Sequence, residues 1–101
     1  GERDAATNSR NHLIACDFSG AILRRADLTL AILTHARFLG ADLEGANLSR
    51  TDLSNVDFTG AIVIGVDFTG ADLDGARLGG AIGLDRAVGL DRAVNLDRAR
   101  R

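Results

Sequence analysis

Residues 41–60 read ADLEG ANLSR TDLSN VDFTG. A step of five residues is written into them. The third place of each unit is Leu43, Leu48, Leu53 or Phe58, the first is small (Ala41, Ala46, Thr51, Val56), and the second is Asp or Asn. The same step runs from Asn11 to Gly83, with third places going from Leu13 through Phe18 and Leu23 to Leu78 and only Val63 as a conservative departure. A fixed short period means stacked copies of one structural unit.

Side chains alternate along an extended backbone, so the first and third places share one side. They are the apolar ones and point inward; the second place points outward. The fourth and fifth places, as in Ser19-Gly20, Thr59-Gly60 and Thr69-Gly70, read as a tight turn. Glycine second in that turn favours type II, which needs a positive φ there. Each unit is therefore one short strand and one corner. Phe18, Phe38 and Phe58 recur every twenty residues, as do Gly20, Gly40, Gly60 and Gly80. That larger period predicts four units per coil, with like residues stacked in columns. The Phe column then carries an outward ladder of alternating charge, Asp17, Arg37, Asp57 and Arg77, and Phe18, Phe38, Phe58 and Phe68 belong to the core.

Units such as Ala26-Asp27-Leu28, Ala41-Asp42-Leu43, Ala46-Asn47-Leu48 and Ala71-Asp72-Leu73 match the A-(D/N)-L-x-x signature, and the chain resembles the pentapeptide-repeat proteins over about three-quarters of its length. The resemblance implies an all-β fold, a right-handed, four-sided β-helix or solenoid, here of just under four coils. Departures fall at Asn11, His12 and Cys16, at Thr51, Val56 and Val66 in place of Ala, and at Gly83.

A chain of 101 residues allows one domain. Four Phe and no Trp or Tyr suit a thin rod filled by small and medium side chains. The absence of Pro suits coils that exchange backbone hydrogen bonds. The single Cys, Cys16, cannot form an intrachain disulfide and takes an inward place as a small buried hydrophobe. No apolar run approaches a membrane span of about 20 residues and no signal-peptide pattern stands at the start, so a cytoplasmic location is expected. Residues 1–10 lack the period and are expected to be flexible; residues 11–83 form the solenoid. After Gly83 the step becomes six, GLDRAV GLDRAV NLDRAR, which a five-residue coil is not expected to accommodate. Residues 84–101 are therefore expected to form a short helical cap, since an open terminal coil exposes core side chains and strand edges.

The chemistry-bearing residues are few. His12, His35 and Asp52 share a face, but the spacing supports no metal site. Ser19, Ser49 and Ser54 sit in turn places with no base beside them, and no glycine-rich phosphate loop precedes a helix. No catalytic residue, cofactor or metal is expected. From Asn11 to Gly83 nine acids face five Arg. Some members of the resembled family bind type II topoisomerases as mimics of duplex DNA. Duplex DNA, however, carries about one charge per 1.7 Å of axis, far denser than this surface. The expected function is a small non-enzymatic structural or protein-interaction module; the alternative is a DNA-mimicking gyrase inhibitor or protector. Direct nucleic-acid binding is not expected, since no basic stripe or exposed aromatic set occurs. Stacking by twenty gathers Ile62, Ile64, Ile82 and Leu84 into an outward apolar patch. Its expected covers are the C-terminal segment, with Val88, Leu90, Val94 and Leu96 folded back, and a second copy in a homodimer at that end.

Overall fold

The computed structural model describes residues 12–101; the expectation for residues 1–10 lies outside them. Every side of the coil is held by a single parallel bridge residue, the second place, rather than by an extended strand. Partners lie twenty apart, as in Asp17↔Arg37, Ile22↔Asp42, Asp27↔Asn47 and Ile32↔Asp52, so the coil has four sides. Two second-place columns are five deep: the His side (His12, Ile32, Asp52, Asp72, Val94) and the Phe side (Asp17, Arg37, Asp57, Arg77, Arg100). Two are four deep: the Ile side (Ile22, Asp42, Ile62, Ile82) and the Asn side (Asp27, Asn47, Asp67, Val88). The described chain thus makes about four and a half coils rather than just under four.

Inside the stack each bridging residue is bonded to both neighbouring coils. Arg37 N–H donates down to Cys16 O at 2.9 Å, and Phe38 N–H donates up to Asp57 O at 2.9 Å. Corners close by a bond from the next first place back to the third, as from Ala41 N–H to Phe38 O at 3.0 Å. The fifth place is left-handed, with φ of 68° at Gly40 and 74° at Gly60, as a type II turn requires. Ala15, Arg25, Leu30, His35, Arg50 and Asn55 adopt the same conformation despite the cost of about 1 kcal/mol or more to an L side chain. The ladder bonds on either side of each corner hold them there. Gly80 has no positive φ and turns its corner differently.

The outward Asp or Asn is part of the same machinery. Asp27 Oδ1 accepts from Thr29 N–H at 3.0 Å and from Thr29 Oγ1 at 2.6 Å. Asn47 does the same for Ser49, Asp52 for Ser54 and Asp57 for Thr59. The second place therefore satisfies the first N–H of the following corner, an Asx turn.

Inward side chains fill the axis. Leu33, Phe38, Leu43, Leu48, Leu53, Phe58, Val63, Phe68 and Leu73 are wholly buried. Phe18, Phe38 and Phe58 stack in one column, with centroids 5.1 and 5.5 Å apart, and Phe68 meets Phe58 edge-on at 5.8 Å. Both geometries are favoured for aromatic pairs. Phe18, with Leu13, Leu23 and Leu28, is only half-buried, because among the described residues this layer has a core layer on one side alone. Cys16 is half-buried for the same reason.

The C-terminal segment is not a helical cap. The six-residue units continue the solenoid: Val88 bridges Asp67, Val94 bridges Asp72 and Arg100 bridges Arg77, at separations of 21, 22 and 23 residues. The extra residue enters between the second and third places. Gly83, Gly89 and Asn95 take it up in the left-handed region, with φ of 81°, 76° and 60°. That reversal turns Leu84, Leu90 and Leu96 inward against the core. Each Leu-Asp-Arg then makes one 3-10 turn, and Ala87, Ala93 and Ala99 return to extended backbone. The closing bond is the one the five-residue units use, here from Ala87 N–H to Leu84 O at 3.1 Å. A six-residue step is compatible with a five-residue coil because only the corner has lengthened.

Candidate interaction surface

The Ile side is where the outward second place departs most from Asp. Ile62 bridges Ile82 directly. Ile82 is 52% exposed and Ile22 is 78% exposed, while Ile62 and Ile64 are half-buried. Ile64 is half-buried because Gly83 lies against it: a Cβ on Gly83 would collide with Ile64 Cγ1. The structure thus brings Ile62, Ile64 and Ile82 together and removes Leu84 from them. Counting by twenty from Ile64 reaches Leu84, but the residue inserted at Gly83 shifts the count, and Leu84 packs inward against the core.

Below the three isoleucines the face becomes charged. Asp42 accepts from Arg24 Nε at 2.5 Å, and its carboxyl lies below its ordinary range through that bond first and the Glu44 N–H second. Around the corner a shallow groove of about 520 Å³ is lined by Arg24, Arg25, Glu44, Gly45, Ile64 and Gly65. The Arg25 stem lies along Gly45. The groove is therefore mixed in charge, with one apolar wall.

The C-terminal segment does not fold back over this patch. Val88 and Val94 occupy outward second places of the last coil, 52% and 48% exposed, and Leu90 and Leu96 point into the axis. Sequence reasoning missed both valines as surface residues. The signal was present: Ala81, Ala87, Ala93 and Ala99 each precede an outward residue and, except the last, a Gly or Asn and then Leu.

The acidic residues do not converge. The Phe side alternates Asp17, Arg37, Asp57, Arg77; the Ile side holds Asp42 alone; Asn47 separates Asp27 from Asp67; and Asp52 and Asp72 lie between Ile32 and Val94. These carboxylates are held by their corners. Asp17, Asp27 and Asp67 fall below the ordinary value through the Ser19, Thr29 and Thr69 side chains respectively, then through the same residues' N–H groups. At Asp57 burial pushes upward, and the Thr59 bonds with the charges of Arg77 and Arg37 outweigh it.

His12 and Asp52 share the His side with Ile32 between them, and His35 sits at a corner with φ of 64°. Among the described residues no three His, Cys, Asp or Glu side chains gather closely enough to hold a metal. The Ser49 and Ser54 hydroxyls donate to Asn47 and Asp52, so both serve corners. Among the described residues no helix is long and apolar enough to cross a membrane.

A model of the pentapeptide repeats matches residues 12–50 and 51–82 in eight copies, and the chain belongs to the pentapeptide-repeat family. The match ends where the six-residue units begin. Among solved structures, the chain is similar to a pentapeptide repeat protein from the Arabidopsis thaliana thylakoid lumen, at 37% identity over 78% of this chain and 63% of that one, with a TM-score of 0.35. It is also similar to the pentapeptide repeat protein Rfr23 from the cyanobacterium Cyanothece 51142, at 27% identity over 82% and 63%, with a TM-score of 0.40. A third, QnrB1, a plasmid-mediated fluoroquinolone resistance protein, shares 20% identity over 73% and 71%, with a TM-score of 0.32. The chain spans a little under two-thirds of the first two. No curated protein matches it.

Proposed function

We propose that the chain is a non-catalytic protein-interaction module whose contact surface lies at its C-terminal half. The observation that carries this reading is the replacement of corner-capping Asp by Ile62 and Ile82 on adjacent coils, with Ile64 beside them. Outward apolar residues grouped on a surface mark contact sites more often than chance exposure does. Elsewhere the second places keep their structural work: Asp27, Asn47, Asp52, Asp57 and Asp67 each satisfy a corner N–H. The hydroxyls that could serve as nucleophiles are committed to the same bonds.

Mimicry of duplex DNA is the weaker reading. It needs a continuous acidic face, and no second-place column carries acids on more than two successive coils. Two assays separate the readings. The purified chain, immobilised, should retain a specific protein that an Ile62→Asp, Ile64→Asp double variant loses. The same chain should leave the supercoiling activity of DNA gyrase unchanged. Retention by both forms, or inhibition of gyrase by the wild type, would move the function off this surface.

A further inference from the structure

We infer that the groove at the corner between the Ile and Asn sides takes an extended peptide of another protein, one that sets a carboxylate on Arg25 and an apolar side chain against Ile64. The inference rests on the reading of the chain as an interaction module and names the chemistry of its partner.

The fifth places of this corner run Arg25, Gly45, Gly65. The Arg25 stem lies along Gly45, and a Cβ on Gly65 would meet only the Gly45 backbone, at 3.6 Å. For two coils, about 10 Å at strand spacing, the floor therefore carries no side chain. Beside it the fourth places change from Arg24 and Glu44 to Ile64. The result is a trough of about 520 Å³, charged at its lower end and apolar at its upper one. Ile62 and Ile82, bridged to each other, extend the apolar end.

The charges of the trough are unequally spent. Asp42 binds Arg24, and the charge of Glu44 acts on the same guanidinium. Among the described residues Arg25 forms no ion pair. A guanidinium over a bare glycine floor suits a carboxylate from outside. The backbone offers a donor as well. Asp42 accepts the Glu44 N–H at 3.2 Å, whereas Ile62, one coil up, has no oxygen to accept the Ile64 N–H. The isoleucine that makes the patch apolar thus leaves a corner donor for an incoming carbonyl or carboxylate oxygen.

The spacing selects the form of the occupant. Arg25 and Ile64 stand two coils apart, and the Arg25 stem rises along Gly45 and shortens that gap. On one face of an extended peptide, side chains recur every second residue, about 7 Å apart. An acidic residue two positions from an apolar one therefore matches both ends of the trough. A small free anion would leave Ile64 unused. A nucleic-acid strand would meet Asp42 and Glu44 and find no aromatic side chain here to stack on.

NMR titration of the isotope-labelled chain with three capped peptides tests this. The first is acetyl-Leu-Ser-Glu-Ser-Glu-amide; the second has Lys for both Glu; the third has Ser for Leu. The first should give saturable shifts of the Gly45, Ile64 and Gly65 amides that weaken as salt is raised. Arg25→Glu should raise its dissociation constant at least about fivefold, and Arg25→Lys should change it less. Both variants should keep the wild-type far-UV spectrum, because Arg25 is exposed. No saturable response at those amides, an equal response to the Lys peptide, or binding unmoved by Arg25→Glu overturns the inference. An equal response to the peptide without Leu would show a plain anion site and overturns it too. A protein retained through Ile62 and Ile64 and unaffected by Arg25→Glu would sink this inference alone; peptide binding with no protein retained would sink only the broader reading.

Discussion

The body of the solenoid and its last coil solve the same corner in two ways. In the body the left-handed residue follows the inward Leu or Phe, as Gly40 follows Phe38 by two. In the last coil it precedes the inward Leu, as Gly83 precedes Leu84. Both corners close with a bond from the next Ala to that inward residue, 3.0 Å at Ala41 and 3.1 Å at Ala87. Stacking thus demands little of a unit. One bridging residue and two inward side chains must return above their counterparts; the number of residues spent between them is free. Among the described residues the body has two things the last coil lacks: core layers above and below, and Asx bonds at most corners.

The largest expected effect tests the first difference. Phe38→Ala removes a wholly buried ring stacked between two others and should cost about 3–5 kcal/mol in urea unfolding. Leu90→Ala, in the half-buried last layer, should cost less than about 2 kcal/mol, below the range for wholly buried leucines. Equal losses would mean that the two regions are packed alike.

Next come the glycines that turn the corners. Gly89→Ala combines a left-handed backbone with a Cβ that would strike Thr69. It should lower stability by more than Gly20→Ala, which has the same backbone in open space and should cost about 1 kcal/mol. If the two changes cost the same in thermal unfolding, the close approach at the lengthened corner contributes nothing.

Deleting Gly83, Gly89 and Asn95 together turns the last units into AILDR, AVLDR and AVLDR, each a full five-residue unit. The shortened chain should fold with a change of no more than about 1 kcal/mol, because loop length enters stability only logarithmically. An unfolded product would show that the six-residue corner is a different structure and not a lengthened one.

The smallest effect concerns the Asx bonds. Asp67 is held below its ordinary value of 3.8 by Thr69. A carboxyl depressed in the folded state contributes stability that is present above the unfolded value and is lost as pH falls through the folded one. Thr69→Val should raise the Asp67 titration point toward 3.8 in an NMR titration and flatten the loss of stability on the acid side of that value. An unmoved titration point would show that the Thr69 hydroxyl does not act on Asp67.

Much of this was legible in the residues. The recurrence of Phe18, Phe38 and Phe58 gave four units per coil, because stacked aromatics of equal size reveal the vertical neighbour. The charge ladder on the Phe side followed from the same count. The end of the chain was misread because Leu, Ala and Arg at six-residue spacing satisfy a helical face as well as a solenoid corner, and local preference does not separate the two. What decides is the inward Ala of each unit, already provided with a place on the coil beneath; Leu84 moved from the surface to the core on that account. The half-burial of Phe18 depends on what lies beyond one layer, which a repeat by itself does not encode.

The corners carry one more consequence. Arg25 lies along Gly45, Arg50 along Gly70 and Asn55 beside Gly75: a long side chain below, a glycine above, twenty positions on. At these corners a unit therefore meets the fourth unit after it through its fifth place. Copying errors in a repetitive gene that gain or lose four units keep every remaining residue in its own column. Loss of the single unit at residues 41–45 would set Arg50 over Arg25, two cations and two long stems where one stem and a glycine had been. Among the five-residue units, whole units can be gained or lost with these columns in register only in steps of one full turn.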